Sequence, residues 1–268
     1  MKKIKFYCVT NKLINFLDFE EYNLAWVGKD NPPPNYLKCN YKDNIFHKEK
    51  NYSELTFHYW YWKNLLPYEK DDQWVGFCQK RRYWIKNKTT DIIDTQNLHK
   101  YLLTDVMDEK KKINSFICDS IKVSGVKTTK LLKRGWQNVL KKPSIIFNEN
   151  YQTIKVHFDM HHGHGNLEKA ISVLNEKYRN DFYNYVKSSS NLHPNIMCIS
   201  KSKILNQWFM DLFEWLSNCE KVFGFENLKG YDTGRLYAYL AERFLPFWFR
   251  KNTKYLEWPW AFFENYEE

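Results

Sequence analysis

Three consecutive cations, Lys80, Arg81 and Arg82, follow the apolar run Trp-Val-Gly-Phe-Cys at 74–78, and residues 74–84 together read as one strand. In open α/β sheets ligands bind beyond the carboxyl ends of the strands, so Arg81 and Arg82 could clamp a diphosphate there. The guanidinium fork matches phosphate oxygens two at a time and stays charged at any working pH. A surface ion pair with Asp71 or Asp72 is the plainer use of the same residues. A second group, residues 157–164, holds four histidines and Asp159. Neutral imidazole and carboxylate are good Zn²⁺ or Mn²⁺ ligands, and Asp159 or His162 could instead act as a general base, with His161 beside them on an acceptor. The spacing matches no common metal motif, and Gly163 and Gly165 suggest a loop leading into a helix, with Asn166 as its N-cap. A third group, Arg235, Glu242 and Arg243, lies on a helix otherwise rich in aromatic residues. Glu242 there is either a catalytic carboxylate or half of a buried ion pair that fixes helix packing. Glu54 and Lys63 pose the same choice on an earlier helix.

The elements that must position these groups alternate between strand and helix. Residues 4–10 read as a first buried strand ending at Thr10, Asn11 and Lys12, and 24–27 as a second. Residues 52–66 read as a helix buried on most faces and stopped by Pro67. A helix over 95–106, a strand over 113–118, a helix over 167–186 and a strand over 195–200 follow. Two apolar helices, 203–222 and 235–249, close the chain, the second ended or kinked by Pro246. The charge run at 108–112 reads as solvated surface, and the basic segment 122–142 as a loop over the site. No internal repeat or low-complexity segment is present. The order argues for a single α/β domain, 1–268, with a mostly parallel sheet flanked by helices.

At 268 residues, 43% apolar and 27% charged, the composition is that of an ordinary globular protein. The formal charge of +10 suits an anionic partner: a nucleotide diphosphate, an anionic lipid surface or a nucleic acid. Aromatic residues reach 18%, which stacking on sugar faces or an interfacial belt would explain. The six cysteines show no CxxC spacing and several sit in apolar patterns, as reduced core thiols do. No signal peptide and no run of 18 apolar residues is visible, so the expectation is a cytoplasmic protein, at most at the inner membrane face. The aromatic runs at 244–249 and 258–263 resemble an interfacial foot, with core packing the better-supported use.

Specific motifs surround these groups: Asp43-Asn44-Ile45, then Lys50-Asn51-Tyr52 leading to Glu54-Leu55-Thr56, Tyr59-Trp60, Trp62-Lys63-Asn64, then Val75-Gly76-Phe77 and Arg81-Arg82-Tyr83-Trp84. In this order they resemble the DUF4422 family, whose members occur in capsule and lipopolysaccharide gene clusters and are regarded as glycosyltransferases of GT-A-like fold. One branch is similar to galactofuranosyltransferases. The resemblance runs from Phe6 to Leu245. Two departures stand out: Cys78-Gln79-Lys80 where the family has His before the arginines, and Asn11 where it favours VTHK. The resemblance implies transfer of a sugar, possible donors being UDP-linked galactofuranose or its N-acetyl form, to a capsular or lipopolysaccharide glycan. It implies a nucleotide-sugar half at about 1–120 and an acceptor half at about 121–268. Thr10, Lys12, Asn44, Glu54, Lys63, Arg81 and Arg82 would then bind the donor, and His161, Asn195 and Arg235 the acceptor, with Asp159, His162 or Glu242 catalytic. GT-A enzymes commonly hold Mg²⁺ or Mn²⁺ on a DxD pair; Gln79-Lys80-Arg81 occupies that place, so no metal ligands are assigned and the cations would neutralise the leaving group. Peripheral contact with an anionic membrane is a further expectation. The competing classes are a basic nucleic-acid-binding module, which leaves the ELT and WKN motifs unexplained, and a metal-dependent hydrolase built on 157–164. No nucleic acid is expected.

Overall fold

A computed structural model describes residues 2–17, 19–106 and 113–263. Alternation sets the two faces of its sheet. In β1 (Lys2–Thr10), Tyr7 and Val9 enter one core cluster while Phe6 and Cys8 enter the other. β2 (Tyr22–Trp26) lies parallel to β1, and the short β3 (Leu37–Lys38) extends the sheet from β2. α1 (Glu49–Tyr52) and α2 (Leu55–Asn64) are separated at Ser53, whose φ of 51° no helix tolerates, so the single helix expected over 52–66 is two. β4 (Trp74–Gln79) runs parallel to β1 on its other side. Gly76 is required there, because a Cβ would sit 2.3 Å from the Phe6 ring.

After β4 the chain turns back through Lys80 and Arg81 into the antiparallel β5 (Arg82–Trp84). The strand expected over 74–84 is therefore a hairpin. The helix expected over 95–106 shrinks to α3 (Leu98–Tyr101), because Leu102 bridges to Ile85 and β6 (Asp105–Val106) pairs with β1. Sheet pairing outcompetes local helical spacing here. The charge run at 108–112 lies outside the described residues.

β7 (Ser115–Cys118) and the edge strand β8 (Ile121–Lys122) follow. The basic segment expected as a loop folds instead as α4 (Thr128–Arg134) and α5 (Trp136–Lys141), anchored by Leu131 and Val139 in a small cluster with Val156 and Met160. Most of the histidine group lies on α6 (Ile154–His162), not in a loop. α7 (Asn166–Ser172) begins after a Gly165 N-cap, so Asn166 is inside it, and α8 (Glu176–Ser188) is separate, splitting the helix expected over 167–186. β9 (Asn191–Leu192) pairs with β8. β10 (Cys198–Lys201) inserts antiparallel between β4 and β7.

α9 (Ser202–Phe223) matches its expectation closely. After α10 (Gly230–Gly234), α11 (Leu236–Asn252) continues through Pro246, so the proline does not end it. The proline removes one N–H and leaves the Glu242 carbonyl without its helical partner. Burial of Phe244, Leu245, Phe247, Trp248 and Phe249 holds the helix together across that gap. Those residues are core, not an interfacial foot. β11 (Tyr255–Trp258) lies parallel to β7, and β12 (Trp260–Phe262) closes on β5. The main path is β11-β7-β10-β4-β1-β2-β3, with four of its six pairings parallel. The expected sheet with flanking helices is thus present, mostly parallel along this path and mixed once the antiparallel pairings of β5, β6 and β12 are counted. Strands from both ends of the sequence complete it. All six cysteines are buried and free. Trp60, Trp74, Trp84, Trp208, Trp215 and Trp248 are fully buried, which accounts for much of the aromatic excess.

Candidate active site

One pocket opens at the carboxyl ends of β1 and β4. Thr10 and Asn11 form its floor beside Val27, and the hairpin contributes Gln79, Lys80 and Arg82. Thr10 is fixed by its own turn: its hydroxyl donates to the Lys12 carbonyl at 2.6 Å and accepts from the Lys12 amide at 3.0 Å. The start of α1 supplies Glu49, and the α1–α2 break supplies Ser53 and Glu54. The lining is completed by Asn195 and Ile196, just before β10, by Tyr231 of α10, by Arg235 between α10 and α11, and by Tyr239 and Glu242 of α11. Two of the three non-glycine residues with positive φ among the described residues, Ser53 and Asn195, line this one pocket. Backbone strain persists where the surroundings over-determine it, and it concentrates at functional sites.

The polar side chains are linked. Gln79 donates to Glu54 and accepts from Arg82 at 3.3 Å, while the Lys80 ammonium donates to the Asn11 side chain. Glu242 accepts from the Asn195 amide at 2.7 Å and from the buried Arg243 guanidinium. Burial pushes the Glu54 carboxyl above the usual range; the Glu242 charge adds to the rise and Arg235 opposes it. Burial likewise lowers Lys80, and the charges of Arg81, Lys12 and Arg235 lower it further. A crowded cation whose charge is disfavoured is a place where an anion binds with gain.

Thr10, Glu54, Arg82, Asn195, Arg235 and Glu242 are therefore brought together from the residues singled out in the sequence. Others are placed elsewhere. Lys63 follows Glu54 by nine residues, half a turn out of phase on a helix, and lies 3.5 Å over the Trp62 ring beside a separate cavity between α2 and α9. Asn44 holds its own turn, donating to the Lys42 carbonyl and accepting from the Phe46 amide. Lys12 is exposed at the pocket's edge and acts on it through its charge. Arg81 sits at the hairpin tip between the two inward cations and is not part of the lining.

Asp159 lies outside the lining too, buried between Lys155 at 2.9 Å and the Gly165 amide at 3.1 Å, where it closes the α6–α7 turn. His161 stacks on His157. His162 stands behind the pocket, its ring stacked at 3.7 Å on Tyr239 and its Nδ1 at 2.9 Å from the Asp232 carbonyl oxygen. Burial, with the Arg243 charge second, pushes its imidazole down to about 3, which makes it a weak base. Among the described residues no three His, Cys, Asp or Glu side chains come together to hold a metal ion. At the end of β4, where a GT-A metal would need anionic ligands, stand Gln79 and Lys80, so the donor set does not fit one. Asn11, Gln79 and Lys80 stood out in the sequence at strand ends, Lys80 among the cations expected to neutralise a leaving group, whereas Tyr231 and Tyr239 carried no such signal.

A family described as "Domain of unknown function (DUF4422)" matches residues 5–253, and the chain belongs to that family. Among solved structures, the chain is similar to a WbbM bifunctional glycosyltransferase in its apo structure: TM-score 0.72, 20% identity, over 98% of this chain and 46% of that one. The likeness shows the fold, and the chain spans a little under half of that protein. Comparison with curated proteins finds no match.

Proposed function

We propose that this chain transfers a sugar from a UDP-sugar to a capsular or lipopolysaccharide glycan, with galactofuranose or its N-acetyl form the donor to try first. The observation that carries the reading is a pair of cations, Lys80 and Arg82, at the β4–β5 hairpin, lining the same pocket as Glu54 and Glu242. The fold shared with a bifunctional glycosyltransferase and membership of DUF4422 support it. In this reading Lys80 and Arg82 hold the diphosphate and neutralise the charge that grows on it as the sugar–phosphate bond breaks. Thr10, Asn11 and Glu54 border the nucleotide. Glu242, held by Asn195 and Arg243, takes the proton of the acceptor hydroxyl as its oxygen bonds to the anomeric carbon. Arg235 and the rings of Tyr231 and Tyr239 border the acceptor. The donor half then extends over the first part of the chain and the acceptor half over the second. The histidine group on α6 gives no support to a metal-dependent hydrolase, and a nucleic-acid module leaves the Glu54–Glu242 pocket without a use.

The test is UDP release from a panel of UDP-sugars, with and without glycan acceptors and with and without Mn²⁺. Acceptor-dependent release that persists in EDTA is expected. Release that requires Mn²⁺ would show that the reading of Gln79 and Lys80 is mistaken, and no release from any donor would remove the transferase reading.

A further inference from the structure

Residues 127–142 hold six cations, Lys127, Lys130, Lys133, Arg134, Lys141 and Lys142, and no carboxylate. Leu132, Trp136 and Leu140 recur at every fourth residue through the same stretch and are 50%, 53% and 70% exposed. Phe147, just beyond, is 87% exposed. α4 ends and α5 begins at Gly135, whose amide donates to the Leu131 carbonyl at 2.7 Å and whose carbonyl accepts from the Val139 amide at 3.0 Å. Trp136 and Leu140, four residues apart on α5, share one outward face, and Leu132 is exposed in the last turn of α4 just before it. Leu131 and Val139 on the other side are buried and fix the pair of helices to α6. Single exposed apolar side chains are ordinary, but large ones aligned on one face mark an interaction surface.

The charge decides what covers it. A second copy of this face would set six cations against six. A nucleic acid would engage the lysines and leave the leucines in water. Lipid suits both features: Trp and Leu enter the acyl boundary while lysines meet anionic headgroups, the composition of interfacial helices. We propose that the α4–α5 face docks on an anionic membrane surface. Its position fits this use. Arg134 lies 3.6 Å from Asp232 of α10, and Tyr231 beside it lines the pocket, so the docking face adjoins the pocket rim. A membrane there would bring a lipid-linked acceptor to the opening; that last point rests on the sugar-transfer reading, whereas the membrane contact does not.

Cosedimentation with vesicles tests it, using phosphatidylethanolamine–phosphatidylglycerol vesicles against phosphatidylcholine ones, at low and high salt. Binding to the anionic vesicles alone, weakened by salt, is expected. Trp136→Ser with Leu140→Ser should lower the partition coefficient at least about tenfold. Lys130→Gln with Lys133→Gln should lower it about tenfold or more. Both double variants should keep the melting temperature and UDP affinity of the parent, and the charge variant carries the test if the apolar one misfolds. Equal binding to both vesicle types, no binding to either, or unchanged binding by the folded variants would overturn the proposal. So would a dimer that the apolar variant breaks without any vesicle binding. Vesicle binding by a protein silent to every UDP-sugar would leave this proposal standing and remove only the transferase reading.

Discussion

Glu54 and Glu242, two of the three glutamates that line the pocket, differ in what surrounds them, and the roles proposed for them follow from that difference. Glu242 accepts from an arginine and a backbone amide, and in the proposed function it meets the acceptor hydroxyl. Glu242→Gln should lower turnover by about 10²–10⁴-fold while UDP affinity stays near normal, since a base acts on the acceptor and does little to hold the nucleotide. Turnover and calorimetric UDP affinity measured on the same preparation check this; near-normal turnover would remove Glu242 from the chemistry. Asp159→Asn should instead lower the melting temperature, because Asp159 ties Lys155 and the Gly165 amide together. Glu54 is the other case. Its folded pKa is raised by burial, so the folded state prefers it protonated and the charge weakens folding as pH rises through the folded value. Glu54→Gln should therefore raise stability at pH 7, with the gain shrinking as pH falls toward the unfolded carboxyl value. Denaturation at both pH values reads this directly, and a gain that grows at low pH would contradict it. The same residues show how legible the site was. Glu54, Arg82, Arg235 and Glu242 could be picked out because motif and charge marked them. Lys80 could not be separated from Arg81, since which cation faces inward depends on a hairpin turn that the sequence was read as a continuous strand.

At the scale of elements, β4 and its hairpin hold the site, and Gly76 lets them lie against β1. Gly76→Ala places a methyl against the Phe6 ring and should cost about 1–3 kcal/mol, the range for overpacking a core, read by urea denaturation. A neutral result would mean that β1 and β4 can part without loss. The hairpin also separates its two arginines. Arg82→Ala should weaken UDP binding by about 1–3 kcal/mol, as loss of a charge-assisted hydrogen bond does, and Arg81→Ala by clearly less. Equal losses would put Arg81 in the pocket after all. Strands β1 and β4 and helix α9 were readable because apolar periodicity persists over their length. The helix expected over 95–106 failed because four leucine and valine positions fit helical spacing while Leu102 and Val106 pair with strands remote in sequence. The α6 helix went unread for the opposite reason: its histidines and aspartate look like loop chemistry, and only burial of Phe158 and Met160 reveals its inner face.

At the scale of the molecule, ten strands among the described residues form one sheet, with β10, β11 and β12 arriving from the second half of the chain. Among the described residues, no helix is long and apolar enough to cross a membrane. The pocket joins residues from Thr10 to Glu242, a span that composition and motif spacing cannot encode, since it depends on β10 entering antiparallel beside β4. In the proposed function this pocket holds a nucleotide diphosphate on Lys80 and Arg82. Isothermal titration of UDP into the native protein and into the Lys80→Ala, Arg82→Ala double variant tests it most directly. Saturable binding by the native chain that the folded double variant loses by at least about tenfold is the predicted result. Absence of UDP binding by the native protein, or equal affinity in the double variant, would contradict it.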